Sequence, residues 1–193
     1  MPDLDAYAEP RRDAATLAAR REALLDQLGW LEDEAAALAP LLAALPAWAT
    51  DQAPMPNDRT AKETFAAFAA LDREVTPRWL ERIASEDAPA LETPDLEDAL
   101  EGANDRDLDD LLADVRAARA DLRAAFEAVP AVAWSRKAVL PSDGALDGAT
   151  TDLYGVALHV VRRDAEWLKE LAYRLHEADL RPRTPEDDLP RPS

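Results

Sequence analysis

The chain has no cysteine and only two histidines among its 193 residues. The missing cysteines exclude disulfides, thiolate metal sites and cysteine nucleophiles by count, and they leave no thiol from which a redox compartment could be read. Glycine is nearly as scarce, and no glycine-rich loop that could cradle a phosphate occurs. The serines, Ser85, Ser135, Ser142 and Ser193, all fall in expected connections or in the tail, so none sits beside a base and an orienting acid. A carboxylate-bridged di-iron bundle needs Glu-x-x-His on two helices, and neither His159 nor His176 has a glutamate three residues before it. His176, near the end of the last expected helix, reads as a favourable partner for that helix's C-terminus.

Long uncharged runs are also missing. The N-terminal stretch has no apolar core of signal-peptide length and no segment is long and apolar enough to span a membrane, so the expectation is a cytoplasmic protein. Basic residues are outnumbered 40 to 22, and the formal net charge of -18 repels nucleic acid and anionic lipid. Neither partner is expected.

What is present is alanine, leucine and charge. Aromatics make up only 6% of a chain that is 48% hydrophobic, and alanine and leucine supply most of the rest, which favours helix over strand. The spacing predicts a first helix over Arg11–Leu45, which Gly29 and Pro40 would kink or divide, then a proline-rich loop in which Asn57 or Asp58 caps a second helix over Thr60–Ala84. Phe65, Phe68, Asp72, Val75, Trp79 and Ile83 share one stripe of that second helix. Between Ser85 and Asp110 eleven acidic residues face one basic residue, Arg106, and the pattern predicts a solvated connection with one short helical turn. A third helix follows over Asp105–Ala128, ended by Pro130, then a loop with room for a short hairpin, and a fourth helix over Thr150–Ala178. Residues 179–193 read as a flexible, proline-rich acidic tail. Residues 1–178 thus make one all-α domain, a four-helix bundle with long connections.

On the fourth helix Leu153, Ala157, Val160, Asp164, Leu168, Leu171 and Leu175 fall in a narrow stripe, with Asp164 in its middle. An ionised carboxylate there needs a cation, and Arg20, Arg21, Arg119 and Arg123 are the expected donors. His159, Arg163 and Trp167 line up four residues apart along one flank, placed to border a cleft between helices.

The stretches "TAKETFAAFAALDRE" and "LYGVALHVVRRDAEWLKELAYRLHE" resemble the second and last helices of the DinB/YfiT-like family of four-helix-bundle proteins. That family shows a pattern like W-S-x-K-E-x-L-x-H-L in helix two and H-D-x-x-H in helix four, with three histidines on one divalent metal. Lys62 and Glu63 match the K-E pair and Asp164 matches the aspartate. The helix-two histidine corresponds to Ala67, or to Phe68 in the neighbouring register, and the two helix-four histidines correspond to Arg163 and Trp167. With only His159 and His176 in the chain, no single copy can build the three-histidine site.

The resemblance therefore implies a bundle that keeps the family's cleft, lined by Ala67, Phe68, His159, Arg163, Asp164 and Trp167, while its metal site is degenerate and no cofactor is expected. The reading is a non-catalytic small-molecule binding or stress-associated protein, with Arg163 paired to Glu63, Asp72 or an anionic ligand. One alternative is a divalent-metal, zinc or nickel, thiol-linked transferase or isomerase with a site rebuilt on His159, Asp164, Asp72 and Glu63. Another is an acidic interaction module in which the Ser85–Asp110 segment binds a basic partner. A homodimer stays open.

Overall fold

The computed structural model describes residues 13–53, 58–141 and 148–180. The first helix, α1, spans Ala14–Ala43, with Asp13 as its N-cap accepting a hydrogen bond from the Thr16 N–H. It runs unbroken through Gly29, and through Pro40 in its last turn, so the expected division does not occur. The following loop holds a short helix, α2, Ala47–Asp51.

The expected second helix is two helices joined by a widened turn: α3 over Ala61–Ala70, a π-type turn over Leu71–Val75, and α4 over Thr76–Ser85. Pro77 accounts for the break. It has no N–H, and its ring crowds the carbonyl four residues back, which belongs to Arg73 in the widened turn. The Thr76 N–H accordingly reaches Leu71 O, five residues back. The cap is Thr60 rather than Asp58, while Asn57 lies outside the described residues. Thr60 and Glu63 form a reciprocal capping box.

The acidic connection is more ordered than its charge predicts. It carries α5, Glu97–Leu100, and a 3-10 turn, Ala103–Asp105, and it buries Leu91, Leu96 and Ala103 in the core. Its acidic side chains face out while its few apolar ones anchor it, so it packs on the bundle instead of forming a solvated connection. The third long helix, α6, spans Leu108–Ala128. The next loop does hold a hairpin: β1, Lys137–Val139, pairs antiparallel with β2, Thr150–Asp152, and Ala90 bridges to Val139. Residues 150–152, expected at the start of the last helix, are thus strand. The last helix, α7, spans Leu153–Leu180 and so passes the expected boundary at Ala178, while the rest of the tail lies outside the described residues.

Two apolar clusters form the core. One gathers Leu28, Trp79, Leu122, Phe126, Trp134 and Val160; the other gathers Leu31, Phe65, Phe68, Leu111, Val115 and Leu171. Trp167 packs against both. The crossover falls between Leu28 and Leu31 on α1, between Ala118 and Leu122 on α6, and between Val160 and Leu171 on α7. The buried charges Asp72, Arg119 and Asp164 sit at that level.

Candidate functional site

The centre of the bundle is polar. Arg119 on α6, fully buried, donates from Nε to Asp72 Oδ2 at 2.7 Å and from Nη2 to Asp72 Oδ1 at 3.1 Å, a bidentate fork. Its Nη1 donates to the carbonyl of Leu28 on α1 at 3.3 Å and lies 2.6 Å from Asp164 Oδ2, a charge contact without hydrogen-bond alignment. Arg163, beside Asp164 on α7, donates from Nε and Nη2 to Asp164 Oδ1 at 3.0 and 2.7 Å, and its Nη2 comes within 3.5 Å of Asp72 Oδ1. Two guanidiniums and two carboxylates thus neutralise one another and join the Leu28 carbonyl, the widened turn, α6 and α7. Of the arginines expected to meet Asp164, Arg119 is the one that does. Arg20 and Arg21 lie over the rings of Tyr154 and Trp134, and Arg123 reaches only to within 3.8 Å of Asp26.

Burial raises the Asp72 carboxyl above its ordinary value, opposed by the charge of Arg119 and assisted by that of Asp164. Burial also works against the charge on Arg119, but Asp164 and Asp72 overcome it and hold the guanidinium more firmly protonated than usual. A quartet of this kind is a geometric lock more than a source of net stability.

Arg163 also lines a cleft of about 720 Å³. Its walls come from the second helical segment, from residues 93–96 of the acidic connection and from α7, and they include Trp79, Trp167, His159, Arg59 and Arg162. The ring of His159 lies 6.0 Å from that of Trp79, whose Nε1 donates to Glu92 O at 2.9 Å. Arg59 stands 5.1 Å and Arg163 5.8 Å from the centre of the Trp167 ring.

His159, Arg163 and Trp167 therefore line the cleft together, as their spacing predicts. Ala67, Phe68 and Asp164 do not. They are buried in the core behind its wall, where Phe68 meets Trp167 at 5.3 Å. Glu63 is far from this chemistry: its Oε2 accepts the Thr60 N–H and its Oε1 accepts from Asn104 Nδ2. Lys62, the other half of the K-E pair, donates to Asn104 O at 2.9 Å and lies 3.2 Å from Asp51. Both match the family pattern and both anchor the start of α3.

The candidate metal ligands are thus dispersed: Glu63 in a helix cap, Asp72 and Asp164 on arginines, His159 against Trp79. Among the described residues no group of three or more histidine or acidic side chains is placed to hold a metal ion. The residues at the family's ligand positions do not fit one, since alanine or phenylalanine, arginine and tryptophan offer no lone-pair donor set.

Arg119 was among the expected donors to Asp164, but spacing along single helices missed its burial and two other things. Arg119 lies four residues after Val115 and three before Leu122, on the buried stripe of α6, so its burial was readable. Pro77 announced the widened turn. Arg59, Arg162 and residues 93–96 reach the cleft from separate elements, and no local pattern brings them together.

No protein-family model matches the sequence, and the curated proteins give no match. Among solved structures the chain is similar to YfiT from Bacillus subtilis, described as a probable metal-dependent hydrolase with an unusual four-helix bundle topology. The TM-score is 0.56 at 14% identity, over 87% of this chain and 93% of that one. Among the described residues no helix is long and apolar enough to cross a membrane. The chain is all-α and has the four-helix-bundle fold of YfiT, the fold of the family its second and last helices resemble.

Proposed function

We propose that this protein is a ligand-binding bundle in which a buried arginine–aspartate quartet closes the centre of the bundle to a metal ion, and in which the cleft beside α7 receives a small organic molecule. The observation that supports this most directly is Arg119 holding Asp72 and Asp164 at once. Both oxygens of Asp72 are engaged by guanidinium donors, and those of Asp164 are met by Arg163 and Arg119. A divalent cation brought to either carboxylate would have to displace a guanidinium or stand against it, and Coulomb repulsion at such distances in a low-dielectric core is severe.

The cleft supports the other half of the reading. Its volume lies within the range of small-molecule sites, which are walled by aromatic side chains with a few placed polar groups. Calorimetric titration tests the proposal with two kinds of probe: zinc and nickel chlorides, and a set of bicyclic aromatics with one acidic, one neutral and one basic member. The expected result is saturable heat with at least one aromatic probe and no stoichiometric metal binding. Equimolar, tight uptake of zinc or nickel would overturn it.

A further inference from the structure

Resting on that reading, we infer that the cleft selects an aromatic carboxylate: a flat apolar body between the walls at Trp79 and Trp167, with its anionic end turned to Arg59, Arg162 and Arg163.

The walls of the cleft are less acidic than the protein as a whole. Arg59 and Arg162 line the cleft beside Arg163, whose charge Asp164 and Asp72 already meet, against two acidic residues, Asp95 and Glu166, in a chain whose formal net charge is -18. Asp95 is already engaged, since its Oδ1 accepts the Glu97 N–H at 3.0 Å. Neither Arg59 nor Arg162 forms an ion pair among the described residues; Arg59 rests on the Trp167 ring and Arg162 is exposed. Distant surface carboxylates are largely screened beyond about 8 Å at physiological salt, so the arginines in the walls decide what an approaching anion meets.

Arg163 contributes a second, independent sign. Its Nη1 is buried and has no hydrogen-bond partner, although Nε and Nη2 of the same guanidinium are used. A buried donor without an acceptor carries a desolvation cost, even though Asp164 and Asp72 meet the charge of the guanidinium. A carboxylate oxygen that reached Nη1 would relieve it. The fork of a guanidinium matches the planar, two-oxygen end of a carboxylate, and the aromatic walls at Trp79 and Trp167 match an apolar body. A cation would meet the guanidiniums of Arg59 and Arg162, and a neutral ligand would leave both without a counter-charge.

The test titrates the full-length protein with 2-naphthoate, 2-naphthylmethanol and 2-naphthylmethylamine, which share one ring system and differ in charge. Naphthoate should bind tightest. In the double variant Arg59→Gln/Arg162→Gln its affinity should fall about tenfold while that of naphthylmethanol stays the same. Arg162 is exposed and Arg59 only half-buried on the Trp167 ring, so the variant's melting temperature should stay within a few degrees of the parent's and serves as the fold control. If naphthylmethanol or naphthylmethylamine binds as well as naphthoate, the anion selectivity is wrong while the small-molecule cleft stands. If naphthoate binds equally to parent and double variant, the assignment to these arginines is wrong. If none of the three binds, both the selectivity and the cleft reading fall.

Discussion

Arg119 and Asp72, 47 residues apart in sequence, face each other through two hydrogen bonds in the fully buried centre of the bundle. Removing one side leaves the other charge stranded, which costs more than the pair contributes. Arg119→Met should therefore lower stability by about 3–5 kcal/mol, read by urea unfolding. Adding Asp72→Asn and Asp164→Asn to that variant should recover part of the loss. A single variant within about 0.5 kcal/mol of the parent would show that the quartet is not closed as described.

The second prediction concerns the start of α3. Thr60 caps the helix and is itself tied to Asn104 Oδ1 at 2.7 Å, while Glu63 closes the box. Thr60→Ala should cost about 1–2 kcal/mol in chemical denaturation, and the aromatic-probe affinities of the cleft should not change. Altered affinity would put Glu63 back among the site residues.

Acid should weaken one surface cluster in a defined window. Asp114 accepts from Arg106 and, at 3.1 Å, from Arg73, and these bonds hold its carboxyl below the ordinary 3.8. A depressed folded value means that the stabilisation is present above about 3.8 and disappears as pH falls through the lower, folded value. Asp114→Asn should be less stable than the parent at pH 7, by at most about 1 kcal/mol because the side chain is one-third exposed, with the gap closing below pH 3.8. A gap that widens on acidification would reverse the assignment.

Gly155 gives a substitution whose sign runs against propensity. Alanine for glycine inside a helix ordinarily gains about 1 kcal/mol. Here a Cβ would stand 1.8 Å from Thr151 Oγ1 and 2.9 Å from Thr151 Cβ, at the junction of β2 and α7. Gly155→Ala should lower the melting temperature, and a rise would mean that the junction is looser than described.

Much of this arrangement was legible in single helices. The stripe from Leu153 to Leu175 put Asp164 in the core and His159, Arg163 and Trp167 on one flank, because helical period converts directly into a face. The stripe on the second helix likewise put Asp72 inward. What could not be read was which cation meets which carboxylate, since the Arg119–Asp72 pairing depends on how helices far apart in sequence pack. The acidic connection misled for a different reason: eleven carboxylates between Ser85 and Asp110 outweighed Leu91, Leu96 and Ala103, whose irregular spacing gives no period although all are buried. The resemblance pointed to the fold, and it placed Arg163 and Trp167 at ligand positions. Asp72 was one of the partners expected for Arg163; the geometry added Asp164 and Arg119 and closed the group into a neutral quartet.

The most direct measurement for the central claim is the metal content of protein purified without an affinity tag and without chelators, by elemental analysis, followed by titration with zinc and nickel. With Asp72 and Asp164 occupied by Arg119 and Arg163, the account predicts far less than one metal per chain and no saturable uptake. Near-equimolar metal that disappears in a His159→Ala variant would contradict it and identify a metal centre rebuilt on other ligands.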